Sequence, residues 1–287
     1  MLPARFDYHR AESVEEALSL LDQYGDDAKV LAGGMSLIPL MKLRFASPGH
    51  LVDVNPLAEL AGIEEADGWL RIGAMTRHRD IVDSDLIKAG NPALATAAPL
   101  VADPIVRNRG TIGGSLCHAD PAGDFGSVLL ALGAQMAVRS SSGERTVAID
   151  DFLVDTFTTA LEPNELLTGI RVPQAGPRSG GTYLKLERKV GDFATVGVAV
   201  QLQMDDGHIG RAGIGLTAVG SKNVRAAEAE SALAGAEPTD EAFAEAGRLA
   251  AQAAQPSDDV RGSREYKRHV VEVFVRRGLE AALQGAA

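Results

Sequence analysis

Two glycine-rich segments constrain this chain more than any other feature, because each falls where a backbone must approach something closely. In the first, Ala28-Lys29-Val30-Leu31-Ala32 reads as a buried strand running into Gly33-Gly34, and Ser36 to Lys42 reads as a turn of helix. A glycine pair there leaves room for a ligand against the main chain, and the free N–H groups at a helix start favour negative charge. Taken alone, the segment is read equally well as a phosphate loop or as a tight turn between core elements, since it is not a GxGxxG fingerprint. The second segment, Asn108-Arg109-Gly110-Thr111-Ile112-Gly113-Gly114-Ser115, continues through Cys117 and His118 to Asp120 and Asp124. Its glycines and the hydroxyls of Thr111 and Ser115 offer donors to a pyrophosphate, and its aspartates offer acceptors to ribityl or ribose hydroxyls. Singly, each has a plain explanation: aspartates before proline or glycine start turns, and Thr111 caps a helix. Together, and without a Rossmann fingerprint, they favour one long phosphate-bearing cofactor whose two ends engage separate loops. FAD has that anatomy.

The intervening pattern alternates short strands and helices. Ser13-Val14-Glu15-Glu16 is a capping box for a helix with Val14, Ala17, Leu18 and Leu21 on one face, ended by Gly25. Strands are expected at His50–Val54 and Trp69–Ala74, the latter followed by a helix capped by Thr76. An alanine-rich helix over Pro92–Ala98 leads into Asp103–Asp124, which reads as the longest irregular stretch and, for that reason, as functional. Beyond it come a helix at Ser127–Leu132, a hairpin of Gln135–Arg139 with Arg145–Ile149, and a strand over Glu165–Val172. Gln174 to Gly181 breaks all periodicity and reads as a domain boundary. The remainder reads as a small α+β unit with strands at Ala194–Gln203 and Ile209–Thr217 and a helical region over Arg225–Ala254. Its last helix begins near Ser263, with Tyr266, Val270, Val273 and Phe274 on one face.

Composition excludes several functions. The net charge of -11, with both signs mixed along the chain, argues against nucleic acid or an anionic membrane as partner. No apolar run approaches a membrane span, and the N-terminal residues lack a signal-peptide stretch, so a cytoplasmic location is expected. With Cys117 as the single cysteine, neither a disulfide within the chain nor an iron–sulfur cluster can form here. The six histidines (9, 50, 78, 118, 208 and 269) show no metal-ligand spacing, so no protein-held metal is expected. No GxSxG is present. Cys117 and His118 read as a small packing residue and a turn or interface histidine in preference to a redox pair. Tyr183 and Phe193 read as core residues, and Arg107 and Arg109 as phosphate ligands or loop decoration.

Four stretches resemble one family, the FAD-binding medium subunits of molybdenum hydroxylases. Ala32-Gly33-Gly34-Met35-Ser36-Leu37-Ile38-Pro39-Leu40-Met41-Lys42 resembles its first flavin loop, and Arg109 to Ser115 with Ala119-Asp120-Pro121 resembles its second. Tyr183 to Ala194, with its Lys189-Val190-Gly191-Asp192-Phe193-Ala194 form, resembles the carbon monoxide dehydrogenase branch, and Ser263 to Leu279 resembles the closing helix. The resemblance implies an α+β architecture: a PCMH-type (vanillyl-alcohol-oxidase-like) two-subdomain FAD-binding domain at 1–177, with subdomains at about 1–60 and 61–177. A small α+β C-terminal domain at 178–287, with a three-stranded antiparallel sheet and helices, would follow. By the same resemblance, Val30, Leu31, Ala32, Gly33, Gly34, Met35, Ser36 and Leu37, with Thr111, Ile112, Gly113, Gly114 and Ser115, hold the pyrophosphate. Asp120 and Asp124 bond the cofactor's polyol portions, and Lys185 approaches the flavin from the second domain, where a cation tunes the ring. Met35 and Ser115 depart from the family pattern, where a polar residue and asparagine are usual, but neither removes a backbone donor.

The resemblance further implies a partner small subunit with [2Fe–2S] clusters and a large subunit with the molybdenum cofactor, in a dimer of heterotrimers. This chain would pass electrons from the clusters through FAD to a quinone or other acceptor, with no catalytic side chain of its own, and would meet the inner membrane face only through partners. The same role in a xanthine, aldehyde or N-heterocycle (nicotine or caffeine type) hydroxylase is the nearest alternative. A self-contained FAD oxidoreductase, and an interaction subunit that has lost its flavin, are the others.

Overall fold

In the computed structural model, which describes residues 2 to 286, the chain folds around three hydrophobic cores. The first is built as the N-terminal pattern requires. Ser13 caps helix α1 (Val14–Tyr24) by accepting from Glu16 N at 3.1 Å, and Glu16 accepts from Glu12 N at 2.8 Å. Val14, Ala17, Leu18 and Leu21 are the buried face, and Gly25 ends the helix at a φ of 51°. They cover a parallel three-stranded sheet of β1 (Asp7–Arg10), β2 (Ala28–Leu31) and β3 (His50–Asp53), in the order β1-β3-β2. Helix α2 (Leu37–Leu43) follows β2.

The second core lies beneath an antiparallel sheet of β4 (Ile63–Ala66), β5 (Trp69–Gly73), β6 (Gln135–Ser140), β7 (Gly143–Ala148) and β10 (Leu166–Pro173), in the order β4-β5-β10-β6-β7. Between β5 and β6 run α3 (His78–Asp83), α4 (Asp85–Gly90), α5 (Pro92–Ala97), α6 (Pro104–Arg109), α7 (Ile112–His118) and α8 (Asp124–Leu132). Short α9 (Ile149–Phe152), β8 (Leu153–Asp155) and β9 (Thr158–Thr159) close the unit. Helix α8 is buried at every residue, because the second core holds one side of it and the next sheet the other.

That next sheet is antiparallel: β11 (Ser179–Leu186), β12 (Val196–Asp205), β13 (His208–Thr217) and β14 (Val224–Arg225), in chain order. The expected three strands thus carry a fourth, two-residue edge strand. Helices α10 (Ala227–Leu233), α11 (Asp240–Ala253) and α12 (Arg264–Gly285) cover it.

Four expectations are corrected. Thr76 does not cap a helix: it is buried, accepts from Gly62 N and donates to Gly62 O, both at 3.0 Å, and α3 starts only after Arg77. Asp103–Asp124 is not irregular: Asp103 caps α6 by accepting from Val106 N at 2.9 Å, and Thr111 caps α7 by accepting from Gly114 N at 3.1 Å. Glycines made α7 look like loop, yet Gly113 is there for close approach, since an added Cβ would stand 2.7 Å from Ala74 O. The buried face of α12 is Lys267, Val270, Val271, Val275, Gly278, Leu279 and Ala282, with Tyr266 exposed. Val270 of the expected face is buried and Phe274 packs partly against this core, but Tyr266 turns outward and the small Gly278 and Ala282 take the closest approach to β12 and β11. Finally, β1 and β4 were not anticipated: each is only four residues long and mostly solvent-facing, so neither shows apolar alternation.

Candidate flavin site

The two glycine segments meet. An added Cβ on Gly33 would lie 2.3 Å from Arg109 O and 2.8 Å from the Gly110 Cα, so only glycine allows the first segment to rest on the second. Gly34 continues with a φ of 74°, turning the chain into α2. Among the described residues, none accepts from the backbone N–H groups of Gly33, Gly34, Met35 or Ser36, and the Ser36 hydroxyl makes no cap bond. Gly33 and Gly34 are buried, Val30, Leu31, Ala32, Ser36 and Leu37 half-buried, and Met35 exposed. Four successive free donors around a buried glycine pair make a cradle for an anion, which is what a pyrophosphate requires.

The second segment is arranged differently. It pairs with residues 74–78: Gly113 N donates to Ala74 O at 2.9 Å, Ile112 N to Thr76 O at 3.1 Å, and His78 N to Gly110 O at 3.0 Å. Gly114 N and Ser115 N donate to Thr111 Oγ1 and Thr111 O. Thr111, Ile112 and Gly113 are buried and Gly114 and Ser115 half-buried. This segment therefore spends its backbone donors on the protein, and it lies against the first at Gly114, where an added Cβ would stand 3.8 Å from Ala32 Cβ and 2.8 Å from Thr111 Oγ1. Asp120 accepts from Ala122 N at 2.9 Å, a turn of the plain kind.

Asp124 and Lys185 are brought together, on each other. Lys185 Nζ, with its side chain 2 % exposed, donates to Asp124 Oδ2 at 3.1 Å and to Leu100 O at 2.9 Å, with Glu187 Oε2 at 3.5 Å. Tyr183 OH donates to Asp124 Oδ1 at 2.7 Å. Burial pushes the Asp124 carboxyl up from its ordinary range, with Lys185 opposing, and burial also holds the Tyr183 hydroxyl well above 10. Both groups have their polar atoms taken by protein, and together they tie α8 and the loop at Leu100 to the third sheet.

Several residues here were invisible to sequence reasoning. Asn55, just beyond β3, donates from Nδ2 to Ala32 O at 2.9 Å and accepts from Arg77 Nη2 at 2.6 Å, and Arg77 Nη1 donates to Arg109 O. Asp53 accepts from Asn55 N at 2.9 Å and from Tyr8 OH at 2.5 Å. His78 is buried against Gly110 and Phe125, its Nδ1 without a partner among the described residues, and burial with Arg107 and Arg77 nearby lowers its pKa to about 4. Arg107 donates to Val101 O and Ala102 O at 2.9 and 2.8 Å, so it shapes the loop, while Arg109 is exposed. Cys117 is exposed, and His118, half-buried, lies tilted against Phe157 with ring centroids 4.9 Å apart. Burial lowers the His118 pKa against the pull of Asp120. No signal short of the tertiary contacts marks Asn55 or Arg77.

Residues 4–175 match the family described as FAD binding domain in molybdopterin dehydrogenase, and residues 181–282 match the CO dehydrogenase flavoprotein C-terminal domain. The chain is 44% identical over 282 residues to the carbon monoxide dehydrogenase medium chain of Hydrogenophaga pseudoflava, covering 98% of each. It is 41% identical over 287 residues to the 6-hydroxypseudooxynicotine dehydrogenase complex subunit alpha of Paenarthrobacter nicotinovorans, covering 100% of this chain and 97% of that one. A solved chain of the Hydrogenophaga pseudoflava carbon monoxide dehydrogenase that lacks the Mo-pyranopterin moiety superposes over the full length of both, with a TM-score of 0.97 and 45% identity.

Proposed function

This chain belongs to the FAD-binding family of molybdopterin dehydrogenases and is an oxidoreductase subunit of the molybdenum hydroxylase type, and from that premise we propose that it serves an aerobic carbon monoxide dehydrogenase. In this reading it carries electrons from [2Fe–2S] clusters of a small partner subunit, through FAD, to a quinone or other acceptor. A large molybdenum-cofactor subunit oxidises the substrate, in a dimer of heterotrimers. Bound flavin supplies the ability to take electrons singly and to release them as a pair. Among the described residues no helix is long and apolar enough to cross a membrane.

The observation that carries the cofactor reading is the contact of Gly33 with Arg109 and Gly110 beside four free backbone donors. Val30 to Leu37 then hold the pyrophosphate chiefly through backbone N–H groups. Thr111 to Ser115, with Asp120, supply the opposite wall and hydroxyls. Asp124 holds Lys185, and Lys185 holds Leu100 O, so this pair acts on the cofactor's surroundings through the loop at Leu100, since its own polar atoms are committed. The domain boundary falls between 177 and 178, with the FAD-binding part divided near residue 60.

The 44% identity to a carbon monoxide dehydrogenase medium chain supports the substrate assignment. The 41% identity to a subunit of 6-hydroxypseudooxynicotine dehydrogenase supports a second reading, the same role beside an N-heterocycle hydroxylase. An anaerobic visible spectrum of the native complex, taken before and after adding carbon monoxide, separates them. Flavin and iron–sulfur bands that bleach with the gas support the first reading. Bands that bleach only with an N-heterocycle support the second, and a preparation with no flavin band overturns both.

A further inference from the structure

We infer that Asn55 and Arg77 form a staple that sets the spacing of the two glycine segments and thereby the affinity for the flavin nucleotide. The inference rests on the flavin reading above. Asn55 reaches the first segment, donating to Ala32 O at 2.9 Å, immediately before Gly33. Its Oδ1 accepts from Arg77 Nη2 at 2.6 Å, and Arg77 Nη1 donates to Arg109 O, the same carbonyl on which Gly33 rests. Two side chains thus join carbonyls of the two segments across the seam between the first and second cores. Each end is fixed from behind. Asp53, 9 % exposed, accepts from Asn55 Nδ2 at 2.5 Å, which orients the amide, and also from Asn55 N and Tyr8 OH. Arg77 lies in the stretch whose backbone already pairs with residues 110–113, with a bridge to Thr111.

The planar fork of arginine suits this geometry, because it serves a side-chain oxygen and a main-chain carbonyl at once. Arg77 is half-buried and neighbours Arg109, so burial and that like charge lower its pKa, while the charges of Asp80 and Asp53 work in the opposite direction. Neither residue presents its bonded atoms to the cradle. They act as positioning residues, holding the free donors of Gly33 to Ser36 beside Arg109 and Gly110 before any ligand arrives, which spares binding the cost of ordering them.

The test uses the full chain purified in its complex, stripped of flavin and titrated with FAD, comparing wild type with Asn55→Ala, Arg77→Met, Arg77→Lys and the double variant Asn55→Ala/Arg77→Met. Each single change is expected to raise the FAD Kd about 10- to 100-fold, the range for losing a charge-assisted bond and its preorganisation. Because either change opens the same staple, the double variant is expected to be no worse than Arg77→Met alone. Arg77→Lys keeps the charge but not the fork, so it should bind as poorly as Arg77→Met. If lysine restores wild-type affinity, the residue acts as a charge and the staple is refuted. Unchanged Kd values with a lowered melting temperature of the flavin-free protein would show a merely structural role, which also overturns it. A wild type that takes up no FAD removes the flavin reading, and this inference falls with it.

Discussion

Acidifying this protein from about pH 7.5 to about pH 5 should cost it about 2 kcal/mol of stability through His78 alone. The imidazole is buried beneath Gly110 and beside Phe125, with Arg107 and Arg77 as the charges that face it, and these hold its pKa at about 4 against an ordinary 6.5. A lowered folded-state pKa means that the unfolded chain binds the proton more readily. The stabilisation is therefore fully present above pH 6.5 and is lost as pH falls toward 4. Integrating over the accessible part of that window yields about 2 kcal/mol, and over all of it about 3 kcal/mol. The assay is urea unfolding followed through the fluorescence of Trp69, the single tryptophan, which sits in β5 with Arg171 over its ring at 4.8 Å. Wild type and His78→Leu are compared at both pH values. Leucine keeps the volume and leaves the bond from the residue-78 backbone N–H to Gly110 O in place, so the variant should lose about 2 kcal/mol less than wild type on acidification. Other titrating groups, such as His118, cancel in that difference. A variant with the same pH dependence as wild type refutes the reasoning.

Gly33→Ala places a Cβ 2.3 Å from a carbonyl oxygen and 2.8 Å from a Cα, neither of which can swing aside. It should cost about 1–3 kcal/mol and lower the FAD content per chain, read from the visible absorbance after gel filtration; full flavin occupancy would contradict the facing-loop geometry. Lys185→Met leaves the buried Asp124 without its cation and should destabilise by about 3–5 kcal/mol in denaturant unfolding, most of it recovered by adding Asp124→Asn. A double variant as unstable as the single one would show that the ion pair is not what those residues contribute. Ser13→Ala removes the cap bond to Glu16 N and should lower stability by about 1 kcal/mol with flavin binding untouched, measured by the same unfolding assay.

How much of this was legible in the sequence follows from the range of each interaction. Helix α1 was readable to the residue because capping, apolar period and terminating glycine all lie within one local stretch. The hairpin of β6 and β7 and the long strands of the third sheet were readable for the same reason. The glycine pairs pointed to close approach, and that approach exists. What stands against Gly33, however, is Arg109 O, far away in the chain, and no local pattern names it.

Tertiary structure alone decided the rest. It turned the second segment's donors onto residues 74–78, leaving the first segment to offer its N–H groups. It paired Asp124 with Lys185, and it made Asn55 and Arg77, which look like an ordinary turn residue and a surface arginine, the link between both segments. The amino-acid sequence by itself determined most of the elements and the presence of two segments of close backbone approach, because propensity and periodicity act over a few residues. Which donors stay free, and which side chains hold the segments apart, depends on partners that folding brings together from distant positions, and that is where the site's chemistry is set.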